Sequence, residues 1–98
     1  MSEEKIQINY KQIEEQIDKY LREHNVASLI SILQYVLSHY KIYLNIDIND
    51  IVLAYRDYLF SGVLVTFVLR TGVGIKVKVS CDRDHEKITG ADVWFVTE

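Results

Sequence analysis

The chain lacks proline entirely and has only four glycines and one cysteine among its 98 residues. Linkers between domains are rich in proline or glycine, so the scarcity of these two residue types predicts a single domain over residues 1–98. The lone Cys81 excludes an intrachain disulfide and favours a reducing compartment. The longest apolar run, Ile51–Tyr55, is far shorter than the ~20 residues that cross a bilayer. We therefore expect a soluble, cytoplasmic protein with no membrane partner.

The chain also lacks a surplus of positive charge, because its formal net charge is −3 at pH 7. Proteins that bind phosphate backbones generally carry excess lysine and arginine, so the charge disfavours nucleic acid as a partner. Residues 1–5 are acidic and contain no apolar run. We therefore expect no signal peptide.

The first part of the chain has helical periodicity. Apolar residues of segment 9–24 form one stripe with charged residues opposite, which predicts an amphipathic helix. Segment 26–40 predicts a second helix that contains no Asp, Glu, Lys or Arg. Asn25 can end the first helix or cap the second. The short connection predicts a helical hairpin.

The hydrophobic period changes from 3.6 to 2 near residue 42. Strict alternation over Ile42–Ile48 predicts a strand with its isoleucines and leucine facing the core and Asp47 facing water. Segment 51–59 fits a helix capped by Asp50 or a strand followed by a turn at Arg56 and Asp57, and we favour the strand.

Three further strands are predicted over residues 58–71, 74–82 and 88–97, with a turn supplied by Gly72 and Gly74. In the middle one, the residues expected to face inward are Ile75, Val77, Val79 and Cys81. Residues 82–87 predict a polar loop. Short connections indicate an antiparallel meander.

The predicted fold class is therefore α+β. A helical hairpin should pack on one face of a curved antiparallel sheet of four to five strands, spanning about residues 42–97, in two layers. This order of elements is similar to that of cystatin-like and nuclear-transport-factor-like folds. The similarity is one of order alone, and no residue role is carried over from either family.

The densest group of potential metal ligands is Cys81, Asp82, Asp84 and His85. A closed zinc site needs four converging ligands, and no second Cys or His pair stands at ligand spacing. Cys81 could alternatively act as a nucleophile with His39 or His24 as its base, but the neighbouring acids would raise its pKa. We expect no metal, no cofactor and no catalytic residue.

Seven tyrosines are more than a core of this size needs. Tyrosine is enriched at interfaces because it joins a large contact area to a polar tip. Tyr35 and Tyr43 lie off the expected core faces of their elements, and Ile32 neighbours Tyr35 on the second helix. These three residues are the predicted interface, and a homodimer would place this helix face against its own copy.

Two further groups are candidates for binding. Arg70, Lys76 and Lys78 could form a basic patch on one face of the sheet, as an alternative to simple solubilising charge. A cavity between helices and sheet would be lined by the following residues: His39, Tyr40, Phe67 and Trp94.

These features favour a non-enzymatic protein-binding, adaptor or regulatory protein that acts as a homodimer. The charge-free second helix, the tyrosines and the apolar residues on both sheet faces support this hypothesis. One alternative is a small ligand carrier or enzyme that uses the predicted cavity. A second alternative is a weakly RNA- or DNA-associated protein that uses the basic patch.

Overall fold

The structure, a computed structural model, describes residues 8–97. Two helices form a hairpin that packs on a four-stranded antiparallel sheet with strand order β1-β2-β3-β4, which confirms the predicted α+β class. The elements in chain order are α1 (Tyr10–Arg22), α2 (Val26–Ser38), a 3-10 turn (Ile48–Asp50), β1 (Ile51–Leu59), β2 (Gly62–Leu69), β3 (Val73–Cys81) and β4 (Ile88–Thr97). No helix in this part of the chain has the length and hydropathy to cross a membrane.

Local capping groups explain where the helices begin and end. Asn9 and Gln12 form a capping box at the start of α1, with hydrogen bonds of 2.9 and 2.8 Å. The helix ends in a Schellman motif, in which Asn25 N donates to Tyr20 O at 2.8 Å and His24 takes a positive φ of 54°. The Asn25 side chain then caps α2 by accepting from Ser28 N. One short turn therefore holds the hairpin.

The core lies between the helices and one face of the sheet. The apolar stripes of both helices are buried against the inward residues of β2 and β3, as their periodicity predicts. The buried helical residues are Tyr10, Ile13, Ile17, Leu29, Leu33, Val36 and Leu37. The buried strand residues that face them are Val63, Val65, Phe67, Ile75, Val77, Val79 and Cys81.

The segment Ile42–Ile48 is not a strand, and the sheet begins at Ile51 instead of residue 42. The segment runs beside α2, where the Gln34 side chain donates to Ile42 O at 3.1 Å and accepts from Leu44 N at 2.7 Å. A side-chain amide thus supplies the hydrogen bonds that a neighbouring strand would have made. The alternation remains as far as Asp47, because Ile42, Leu44 and Ile46 pack against the core while Asp47 is exposed. Ile48 was also expected to face the core, but it begins the 3-10 turn and is 46% exposed.

Segment 51–59 is a strand, as favoured from its sequence, but its turn lies elsewhere. The chain reverses at Phe60 and Ser61 and not at residues 56–57, so the long strand predicted over 58–71 is divided. Gly62 closes this hairpin with a φ of 154°, and a Cβ placed there would lie 2.1 Å from Val79 O. Only glycine allows β3 to approach so closely.

Candidate interaction surface

The helices cover one face of the sheet and leave the opposite face without a covering layer among residues 8–97. Cross-strand pairs share a face, so the pairing of buried Phe67 with Ile75 places their neighbours on the opposite side. We call this side the outer face. It comprises Leu53, Tyr55, Asp57, Leu59, Gly62, Leu64, Thr66, Val68, Gly74, Lys76, Lys78, Ser80, Gly90, Asp92, Trp94 and Val96.

One row of the outer face is entirely apolar. Leu53 pairs with Val68, which pairs with Gly74, which pairs with Val96, so the row crosses all four strands. Leu53 is 53% exposed, and the other members are partly exposed. A contiguous apolar strip in water is a feature of interaction sites on soluble proteins.

The next row joins two aromatic rings through a polar centre. Tyr55, Thr66, Lys76 and Trp94 are paired in that order across the sheet. Thr66 is only 2% exposed, and its hydroxyl accepts a 3.1 Å hydrogen bond from Lys76 Nζ. The alkyl stem of a lysine can cover apolar surface while its amine stays polar, so this row also offers a largely apolar contact area.

The predicted basic patch is only partly assembled. Lys76 and Lys78 lie on the outer face, but Asp92 pairs directly with Lys78, and Asp57 lies in the same row. Arg70 lies in the β2–β3 turn, where its guanidinium donates to the backbone oxygen of Asn49 at 2.6 Å. The formal charges of the outer face therefore cancel, which does not match the needs of a phosphate-binding surface.

The predicted interface residues lie apart from the outer face. Ile32 and Tyr35 are half-buried and pack against the core, so this face of α2 is not left in water as expected. The Tyr35 ring also meets His39 edge-on, with centroids 4.9 Å apart. Tyr43 is 78% exposed, as its position in the alternation predicts.

The four cavity candidates do not surround one space. Phe67 is buried under the helices, whereas Trp94 lies on the outer face and is 37% exposed. His39 ends α2 with its Nδ1 2.8 Å from Tyr35 O. Tyr40 is half-buried, and its hydroxyl donates to Ile88 O at 3.4 Å.

An open groove of about 820 Å³ lies elsewhere, between the α1–α2 turn and β1. We call it the β1 groove. One wall is formed by α1 and the following turn, with residues 18, 20–22 and 24, and by Val26 and Leu29 of α2. The other wall is formed by residues 51–56 of β1.

A polar network closes one end of the β1 groove. The Asp18 carboxylate forms a salt bridge with Arg56 and accepts a 2.5 Å hydrogen bond from the Tyr58 hydroxyl. Partial burial disfavours the charged form of Asp18, but these two hydrogen bonds outweigh it and lower the pKa of the carboxyl below its ordinary value. Burial and the hydrogen bond to Asp18 raise the pKa of Tyr58 to about 12. The network therefore holds a charged aspartate at neutral pH.

The candidate metal and nucleophile residues lie at the end of β3. Asp82 accepts backbone hydrogen bonds from Glu86 and Lys87 at 2.8 and 3.2 Å, which closes the loop between β3 and β4. Within residues 8–97, no group of three or more His, Cys, Asp or Glu side chains is arranged to hold a metal ion. Burial and the nearby Asp82 raise the pKa of the Cys81 thiol, which opposes thiolate formation.

The outer face was predicted as a site only through Lys76 and Lys78, and the Asp18 network was not predicted. The unbroken apolar pattern of residues 63–65 and 67–69 indicates a strand that is apolar on both faces, but it does not reveal which face lacks a cover. Asp18 and Arg56 are 38 positions apart, and no local pattern links them. No protein-family model, curated protein or solved structure matches this chain.

Proposed function

We propose that this protein is a non-enzymatic protein-interaction module that acts as a homodimer, in which the outer faces of two sheets pack together. The observation that carries the proposal is the uncovered outer face, with its apolar row of Leu53, Val68, Gly74 and Val96. Two sheets pack face to face about 10 Å apart when their side chains interdigitate. The helices would then lie on the outside of a four-layer dimer.

The size of the outer face supports this association. The sheet has four strands of eight to ten residues. At ~4.8 Å between strands and ~3.3 Å per residue, its flat area is about 500 Å². Projecting side chains enlarge the accessible area beyond this flat value, toward the ~800 Å² that each partner buries in a stable complex.

The charge pattern of the outer face supports a second copy as its occupant. Lys76 and Lys78 lie in β3, whereas Asp57 and Asp92 lie on the edge strands. A two-fold axis brings a patch against itself, so lysines of one copy can meet aspartates of the other. Such pairing matters because a lysine buried without a partner is costly. A nucleic acid would gain nothing from the two carboxylates.

A cytoplasmic location is also part of the proposal. Its support is the single cysteine, which is a buried free thiol in this fold. Free thiols persist most readily in reducing compartments.

The proposal is tested by measuring mass against concentration with analytical ultracentrifugation. The double variant Leu59→Glu/Trp94→Glu places charge at two opposite edges of the outer face, on side chains that are already 39% and 37% exposed. We expect a dimer for the wild type and a folded monomer for this variant. The control is Tyr43→Glu, which changes an exposed residue away from the outer face and should remain dimeric.

Trp94 gives an independent readout, because it is the only tryptophan and lies on the outer face. Its fluorescence should shift to shorter wavelength as concentration rises and water is excluded. A wild type that stays monomeric at high micromolar concentration would refute the homodimer. Dissociation by Tyr43→Glu alone would move the interface to the α2 side of the molecule.

A further inference from the structure

We propose that the β1 groove binds an extended, acidic peptide segment of another protein, which adds to the free edge of β1 as a fifth strand. This site goes beyond the proposed dimer, because the groove follows the free edge of β1 beside the α1–α2 turn and shares only Leu53 and Tyr55 with the outer face. Addition of a strand to an open sheet edge is a common mode of peptide recognition.

The edge of β1 has the backbone groups that such a peptide needs. Among residues 8–97, β1 pairs with β2 alone, so the N–H and C=O groups along its other side have no sheet partner. Its first five residues, Ile51–Tyr55, contain no charge and no proline. Edge strands usually carry lysine or proline where addition of another strand must be prevented.

The groove follows this edge and does not lie over one face of the strand. Its lining includes Ala54 and Arg56 from the helix-facing side of β1, but also Leu53 and Tyr55 from the outer side. A cleft that reaches residues of both faces must pass along the backbone edge. Its six lining residues, 51–56, span about 20 Å when extended. That length suits an extended peptide better than a compact small molecule.

The opposite wall supplies apolar contacts and positive charge. Leu21 and Val26, which are half-buried, offer apolar surface for side chains of the peptide. The groove lining contains two positive residues, Arg22 and Arg56, and one negative residue, Asp18, so its formal charge is +1, whereas the net charge of the chain is −3. Asp18 already accepts hydrogen bonds from Arg56 and Tyr58, so its charge is largely offset. The exposed Arg22 is therefore placed to attract an acidic side chain.

Two features of β1 disfavour a second copy of this chain as the occupant. The register shifts between Ile51 and Leu53, which leaves Val52 in a bulge. Arg56 also carries a charge on the helix-facing side of the edge strand. These features interrupt regular pairing with any added strand and leave Leu53–Tyr55 as the uninterrupted stretch. Two identical edges would each carry both interruptions, so a regular peptide fits this edge better than a second copy.

The test uses a defined probe, an acetylated and amidated hexapeptide of alternating valine and threonine that ends in two glutamates. It is titrated into the 15N-labelled full chain and followed by amide chemical shifts. We expect saturable shifts that concentrate at residues 51–56 and 20–26. The first control peptide has the same side chains with alternate backbone nitrogens methylated, and it should bind at least tenfold more weakly because it cannot donate to β1.

The charge contribution is tested with Arg22→Glu and its matched control Arg83→Glu. Both residues are exposed, but Arg83 lies in the loop between β3 and β4, at the opposite end of α1 from Arg22. We expect Arg22→Glu to weaken binding of the probe roughly threefold to tenfold, whereas Arg83→Glu leaves it unchanged. A probe whose last two residues are lysines should bind more weakly to the wild type.

Several results would overturn the proposal. One is the absence of any shift at millimolar probe, and another is equal affinity for the methylated peptide. Equal loss of binding in Arg22→Glu and Arg83→Glu would show that the probe is held by general charge attraction and not by binding in the β1 groove. Shifts confined to the outer face would place the peptide on the surface proposed for dimerisation.

Discussion

Gln34 allows a sharp test of why the segment after α2 is extended without being a strand. Its side-chain amide makes two hydrogen bonds, to Ile42 O at 3.1 Å and from Leu44 N at 2.7 Å. Methionine has nearly the same shape but can make neither bond. Two hydrogen bonds at ~0.5–1.5 kcal/mol each predict that Gln34→Met lowers the free energy of unfolding by about 1–3 kcal/mol.

Thermal and urea denaturation measure this loss. For a domain of this size, 1 kcal/mol corresponds to roughly 4–8 °C in Tm, so the shift should be easily resolved. Gln16→Met is the matched control, because Gln16 is also half-buried on a helix but lies on α1, whereas the hydrogen bonds to residues 42 and 44 come from α2. Amide exchange adds a local readout, since the Leu44 N–H should lose its protection in Gln34→Met. Equal Tm values for the two variants, with Leu44 still protected, would refute this account.

Two further predictions concern stability. Ile46→Asp should destabilise the domain by several kcal/mol, because Ile46 packs against the core. Asp47→Ala should cost only ~1 kcal/mol, the value of a lost cap on Asn49 N. Equal losses in urea denaturation would contradict the assignment of Ile46 to the core side and Asp47 to the solvent side. Asp18→Asn should lower Tm slightly at neutral pH. The pKa of Asp18 in the folded protein lies below its ordinary 3.8. The stability advantage of the wild type over Asp18→Asn should therefore be complete well above pH 3.8 and shrink as the pH falls below it. An advantage that grows on acidification would contradict the role of the ion pair with Arg56.

The two proposed surfaces would give the molecule an adaptor's layout. The outer face would join two copies, and each copy would keep its own β1 groove. Leu53 and Tyr55 border both surfaces, because they lie on the outer face at the edge of β1. Linkage then predicts that dimer formation and peptide binding influence each other's affinity. Comparing the probe's affinity in wild type and Leu59→Glu/Trp94→Glu would measure this coupling.

Much of the fold could be predicted from the sequence because periodicity is a local property. The stripe of Tyr10, Ile13 and Ile17 and the alternation that buries Ile75 and Val77 both appear within a few residues of chain. Burial of apolar side chains is the main stabilising term, so a pattern that separates apolar from polar residues selects helix or strand and the inward face. The α+β class and the meander follow from this pattern.

Only the tertiary structure decided which elements pair and which surfaces remain open. The alternation of Ile42–Ile48 was satisfied by the Gln34 amide and the core, with no strand alongside, and a local pattern cannot distinguish these outcomes. The packing of Ile32 against the core and the contact of Asp18 with Arg56 also depend on elements that are distant in the chain. Periodicity states that a face is apolar, whereas its exposure depends on what other elements cover it. For this reason the outer face and the β1 groove emerged only from the packed molecule.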